Sequence, residues 1–183
     1  MLVRTSTAVW EGGLRKGKGT MTIGKGAFDG TYSFASRFES GAGTNPEELI
    51  GAAHAGCFSM ALALMLEQEG HKPERIATTA RVKVDKVGDG YRIVGIDLET
   101  EGVVPGIDET RFLEKAEAAK KGCPVSVALA SVDIKLVARL GKAKQRRLVQ
   151  GELERRPCFI MTAFFFYFIF HEQLCPGQGR HNM

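Results

Sequence analysis

The sequence predicts an α+β fold. Three observations carry that expectation. The first forty residues read as short strands separated by glycine turns. A long apolar run from Asn45 to Gly70 has helical spacing. Beyond it a hairpin, a second helix and a last strand follow in order up to Leu140.

The opening strands are "TSTAVWEG", "KGKGTMTIGKG" and "TYSFASRFES", with turns expected at Gly12-Gly13, Gly24-Lys25-Gly26 and Asp29-Gly30. In the third run Tyr32, Phe34, Ser36 and Phe38 alternate with Ser33, Ala35, Arg37 and Glu39, so a strand carrying Arg37 on its small-residue face is expected. Gly19 and Gly24-Lys25 imitate the start of a phosphate loop. Gly26 stands where a hydroxyl should bind magnesium, so the hairpin reading holds.

The central helix begins with Asn45 as N-cap and Pro46 at its first position. Glu48 falls where a capping-box partner belongs. The helix should run to about Gln68 and stop at Gly70. Ile50, Ala53, Cys57, Met60 and Leu64 recur at helical spacing, which places Cys57 on the expected buried stripe. A helix apolar nearly all round should be a central element. "RIATTARVKVDKVGDGYRIVGIDLETEGVV" then reads as a hairpin turning at Gly88-Asp89-Gly90. "PGIDETRFLEKAEAAKKG" reads as a helix capped by Asp108 and stopped at Lys120-Lys121-Gly122. Pro124 holds Cys123 out of the α region. The last strand is expected at 131–139.

The chain has 183 residues, 44% of them hydrophobic, enough for one domain with a core. Its net charge of +4 is unevenly placed. Residues 1–141 hold 18 basic and 18 acidic side chains, so the body gives no reason to expect nucleic acid as a partner. The start, "MLVRTSTAVWEGG", turns polar at once, and a cytoplasmic location is expected. Beyond Gly141 the character changes. A basic stretch leads into "CFIMTAFFFYFIF", which holds six of the eleven phenylalanines. Twelve helical residues would span roughly 18 Å, short of the roughly 30 Å hydrocarbon core of a bilayer. The run is apolar, uncharged and β-favouring, the marks of an aggregating segment. The expected division is a domain at 1–141 and an extension at 142–183, poorly packed or disordered, with any membrane contact confined to the extension.

Cys57 and Cys123 remain as the chemically interesting pair, since Cys158 and Cys175 belong to the extension. Structural disulfides are rare in a reducing compartment. An isolated cysteine on an apolar stripe is ordinarily inert core. Reactivity requires a thiolate, hence a neighbouring cation. The helix dipole does not serve, because Cys57 lies about twelve residues into its helix and the dipole acts within the first turn. Arg37 is the candidate cation. Glu47 is the candidate carboxylate to fix it, Glu48 being engaged at the cap. Glu47 and Cys57 are separated by about 15 Å along the helix axis. Either Arg37 bridges them or a second copy of the chain supplies one side. His54, Cys57 and Cys123 offer only three metal ligands with no Cys-x-x-Cys, so no metal is expected.

The segments "RFES", "GTNPEELIGAAHAGCFSMALALML", "DKV…VPGID" and "EAAKKGCPVS" resemble, in order and at family spacing, the osmotically inducible protein C (OsmC) family. That family is a sibling of the organic hydroperoxide resistance (Ohr) proteins within one thiol peroxidase superfamily. The resemblance spans residues 1–140, and the extension lies outside it. It implies an OsmC-like α+β fold, with antiparallel sheets around two central helices in an intertwined homodimer. It implies a thiol-dependent peroxidase of the osmotic and oxidative stress response that reduces organic hydroperoxides to alcohols. Cys57 would be the peroxidatic cysteine, Cys123 the resolving cysteine, Arg37 the activating arginine and Glu47 its carboxylate. No cofactor is implied. The implied reductant is a dithiol, a dihydrolipoyl protein resembling best. Two other readings keep the same fold: a hydrophobic-ligand-binding protein with inert cysteines, and a redox sensor whose disulfide alters a partner interface.

Overall fold

A computed structural model describes residues 1–142, and the expectations placed on the extension beyond them lie outside the described residues. Strands β1 (Ser6–Glu11), β2 (Lys18–Ile23) and β3 (Phe28–Ser33) form one antiparallel sheet in sequential order. The turn between β2 and β3 needs positive φ at three successive residues: Gly24 at 64°, Lys25 at 59° and Gly26 at 91°. Glycine removes the Cβ penalty at two of them.

The third strand is shorter than the alternation suggested. It ends at Ser33, and Phe34–Phe38 is a short helix, α1. Ser33 and Ser36 close a reciprocal capping box: each hydroxyl accepts the other residue's amide, at 3.1 and 2.9 Å. That local hydrogen bonding defeats the period-two pattern. It also corrects the place of Arg37, which stands on a helix rather than on a strand face.

Helix α2 (Pro46–Glu67) starts as the sequence dictates, with the Glu48 amide donating to Asn45 Oδ1 at 2.8 Å. The Glu48 carboxylate does not reach back to the cap; it accepts from Thr44 Oγ1 at 3.2 Å. Strands β4 (Arg75–Val87) and β5 (Gly90–Val103) form the expected hairpin. Helix α3 (Glu109–Gly122) is capped by Asp108, whose side chain accepts from the Arg111 amide at 2.9 Å. A further helix, α4 (Pro124–Ala128), stands where only a stop was expected, and β6 (Asp133–Gly141) ends the described chain. β6 pairs parallel to β5, with Ile96 opposite Ile134 and Leu98 opposite Leu136. The second sheet is therefore mixed, not purely antiparallel. The α3–α4 crossover makes the parallel return possible.

The core lies between α2, α3 and the second sheet. Phe58, Leu62, Leu66, Ile96, Leu98, Phe112, Ala116, Ala119 and Cys123 are fully buried. The buried stripe of α2 is thus Gly51, His54, Phe58, Leu62 and Leu66, displaced around the helix from the expected one. Ala53, Met60 and Leu64 face outward, and Met60 is 76% exposed. Gly51 lies on the buried stripe because α2 rests closely on β4: a Cβ there would stand 3.2 Å from the Ala80 carbonyl oxygen. Beyond α2, Glu69 binds both Arg111 and Lys115 of α3. Those two cations hold its carboxyl down to about 2.

Candidate active site

Two pairs of the expected residues meet, in two separate places. The first pair forms where α1 leads into α2. Ser36 Oγ donates to the Thr44 carbonyl at 2.8 Å, and Asn45 Nδ2 donates to the Ser36 carbonyl at 3.2 Å. With the two caps fixed in this way, Arg37 faces Glu47 in the first turn of α2. Its Nη2 donates to Oε1 at 2.7 Å, and its Nε lies 3.2 Å from both carboxylate oxygens. Two guanidinium nitrogens on one carboxylate fix the plane of the arginine, which a single ammonium contact would not. The guanidinium carbon sits 5.0 Å from the centroid of the Phe38 ring, and Phe38 packs on Tyr91 with centroids 4.8 Å apart. Arg37, Phe38, Glu47, Val82 and Tyr91 line part of a cleft of about 510 Å³.

The second pair is Cys57 and Cys123. Cys57 sits half-buried in the middle of α2, and Cys123 is fully buried at the junction of α3 and α4. Cys123 ends α3 by donating its amide to Ala119 O at 2.8 Å, and its φ and ψ of −63° and 124° are those that the following proline demands. Both cysteines are free thiols, and Cys57 packs against the buried cluster that holds Cys123. Burial pushes the Cys57 thiol up, and Cys123 pushes the same way; only Val125 opposes them. Burial also pushes Cys123 up. It is outweighed by its polar neighbours Cys57, Ser126 and Val125, so Cys123 lies below an ordinary thiol. Within one chain Cys57 is therefore the weaker acid of the two.

The structure does not bring Arg37 to Cys57 within one chain. Among the described residues no cation contributes to the acidity of Cys57, whose influences are burial, Cys123 and Val125. Of the two arrangements open from the sequence, a bridging Arg37 is the one the single chain does not make.

Two polar residues that the cysteine argument did not use also converge here. His54 is fully buried, and its Nε2 lies 2.8 Å from Ser126 Oγ. Burial lowers the His54 pKa, which keeps the ring neutral. His54 thus turns into the core, toward Ser126, and no cluster of three or more metal-ligating side chains exists among the described residues. The sequence signal for this contact was weak: a histidine three residues before Cys57, and a serine three residues after Cys123.

The model of the OsmC-like protein family matches residues 39–137, a span that includes Glu47, Cys57 and Cys123 and begins two residues after Arg37. The chain is 53% identical over 123 residues to the peroxiredoxin OsmC of Escherichia coli (strain K12), covering 67% of this chain and 86% of that one. It is 32% identical over 98 residues to an organic hydroperoxide resistance protein of Xanthomonas axonopodis pv. citri, covering 52% of this chain and 67% of that one. Among solved structures, the organic hydroperoxide resistance protein OhrB of Bacillus subtilis superposes with a TM-score of 0.60 at 27% identity. That match covers 74% of this chain and 98% of OhrB.

Proposed function

The chain belongs to the OsmC-like protein family, and on that premise we propose that it is a cysteine-based peroxidase that reduces organic hydroperoxides to alcohols. The observation that carries this reading is the contact between Cys57 and Cys123. Two side chains from separate elements, Cys57 packed against the buried cluster that holds Cys123, each shift the other's acidity.

The Cys57 thiolate attacks the distal oxygen of the hydroperoxide. The O–O bond breaks, the alkoxide takes a proton and leaves as an alcohol, and Cys57 becomes a sulfenic acid. Cys123 attacks that sulfur, water leaves, and a Cys57–Cys123 disulfide closes. An external dithiol of the dihydrolipoyl type restores both thiols by exchange. The apolar side chains packed around Cys57, Ala61 and Met65 among them, suit the hydrocarbon part of an alkyl or acyl-chain hydroperoxide.

The working form is a homodimer in which Arg37 and Glu47 of one copy meet Cys57 of the other. Three features support it. Among the described residues no cation acts on Cys57. Arg37 is fixed by Glu47 yet remains 38% exposed. The outward stripe of α2 is apolar and uncovered. Thiol chemistry recycled by a dithiol fits a reducing cytoplasm. All the proposed machinery lies within 1–141, so the extension at 142–183 is a separate region outside the catalytic domain.

The test is thiol titration before and after one equivalent of cumene hydroperoxide. Two thiols should be lost per chain, with peptide mapping assigning them to Cys57 and Cys123. Cys57→Ser should lose none, and Cys123→Ser should stop at a sulfenic acid trappable by dimedone. Retained turnover with a lipoyl dithiol in Cys57→Ser would overturn the assignment.

A further inference from the structure

The peroxidase reading leaves one demand unmet. When Cys123 attacks the Cys57 sulfenic acid, it must lose its thiol proton inside the core. Cys123 and His54 are fully buried there and Ser126 is nearly so. Ser126 lies three residues past Cys123, in the short helix that follows it, and lowers its thiol pKa, and the Ser126 hydroxyl oxygen lies 2.8 Å from His54 Nε2. His54 Nδ1 is buried and has no partner among the described residues. An unpartnered polar atom in a core is costly, and a packed protein ordinarily removes it.

We propose that Ser126 and His54 form a buried relay that takes up the thiol proton of Cys123 as the disulfide closes. This rests on the proposed peroxidase chemistry. In the thiol state Cys123 donates to Ser126 Oγ, and the Ser126 hydroxyl donates to His54 Nε2. As Cys123 attacks, its proton passes to Ser126 Oγ and the serine proton passes to Nε2. The same three heavy atoms then carry donors in the reverse sense, from imidazolium through hydroxyl to thiolate. The S–S bond forms as the S–O bond of Cys57 breaks. The departing hydroxide recovers a proton as the histidine discharges, so a thiol and a sulfenic acid give a disulfide and one water. No carboxylate holds Nδ1, so the imidazolium is not stabilised and forms only in passing. Burial keeps His54 neutral and able to accept. Ser126 acts on Cys123 directly; His54 acts through Ser126 and is a positioning residue for the peroxide chemistry itself.

The experiment separates the two chemical steps by stopped flow on the full chain, with cumene hydroperoxide as the probe. In Ser126→Ala and in His54→Gln the ratio of the disulfide rate to the peroxide rate should fall by about 100-fold, the lower end of what a positioned base supplies. Glutamine can hydrogen-bond from the Nε2 position but does not accept a proton. A ratio within about threefold of the unmutated value in His54→Gln would therefore overturn the relay and leave a structural hydrogen bond. If the variants fail to fold, the unmutated protein still decides. Its disulfide step should carry a solvent deuterium isotope effect with a curved proton inventory, and an effect of unity overturns the proposal. If the unmutated protein gives no peroxide phase, the peroxidase reading fails on its own. The relay is then tested without peroxide, by the ultraviolet thiolate titration of Cys123 in Cys57→Ser. Adding Ser126→Ala should raise its midpoint by about one pH unit. An unmoved midpoint refutes the relay.

Discussion

Mixing an inactive chain with an impaired one tests whether Arg37 acts across the subunit boundary. One chain carries Cys57→Ser and the other Arg37→Ala, each with its own tag, and the mixed dimer is isolated by sequential affinity steps. If the arginine acts in trans, the intact Arg37 of the first chain faces the intact Cys57 of the second. One of two sites is then complete. If it acts in cis, the intact cysteine stands beside an alanine and no site is complete. The magnitude follows from the electrostatics of Cys57. Burial and Cys123 raise its pKa, and no cation among the described residues opposes them. A guanidinium within hydrogen-bonding range lowers a neighbouring acid's pKa by about 1–3. Removing it lowers the thiolate population by about 10- to 1,000-fold at a pH below the pKa. The more basic thiolate that remains is the better nucleophile, with a Brønsted slope of about 0.4–0.5, so roughly half of the logarithmic loss is recovered. The peroxide step of the Arg37→Ala homodimer should therefore slow by about 3- to 30-fold from thiolate supply alone. The mixed dimer in trans should show half the unmutated rate per dimer. In cis it should show half the Arg37→Ala rate. The assay is single-turnover oxidation by cumene hydroperoxide under excess peroxide. A mixed dimer no faster than the cis value refutes the shared site.

Four further outcomes are expected. Arg37→Lys should restore only part of the rate, because one ammonium does not reproduce the two-nitrogen contact with Glu47, and rate measurements across the three residue types at position 37 check it. Asn45→Ala removes the side-chain acceptor of the Glu48 amide and should cost about 1 kcal/mol in urea unfolding. Glu69→Gln tests linkage: the carboxyl lies near 2 in the fold against 4.5 as its ordinary value, so its contribution is present above 4.5 and lost as the pH falls toward 2. The variant's Tm should therefore fall less than that of the unmutated protein over that acid window. Truncation after Gly141 should keep peroxide turnover and reduce light scattering, because the removed segment carries the uncharged aromatic run; loss of activity would move the domain boundary.

What the sequence made legible follows the range of the interactions involved. The start of α2 was readable because its cap is local: Asn45, Pro46 and the Glu48 amide lie within four residues. The buried stripe of α2 was misplaced for the opposite reason. A helix apolar nearly all round carries no phase, and the buried face is chosen by β4, through contacts such as Gly51 on Ala80. The end of β3 was misread because a strand alternation and a serine capping box overlap on the same residues, and the box satisfies amides that the alternation leaves open. The Arg37–Glu47 pair could be reasoned from charge and spacing, since ten residues and one turn separate them. The Cys57–Cys123 contact spans 66 residues and three elements, and only the resemblance to a known family suggested it.

That difference bears on the chemistry. One chain contains two half-sites with opposite needs. The cysteine pair is packed in a core that makes Cys123 the stronger acid, whereas the proposed mechanism needs the thiolate on Cys57. The arginine pair is fixed at the far end of the same helix with a partly open guanidinium. A cation brought to Cys57 reverses the order of the two thiols: Cys57 ionises, and the proton moves to Cys123. The resolving cysteine then waits as a thiol until the sulfenic acid forms. Docking of a second copy would thus do more than complete a pocket. It would set which sulfur reacts first, and it would leave Cys123 with a proton to discard, the task for which Ser126 and His54 stand in place.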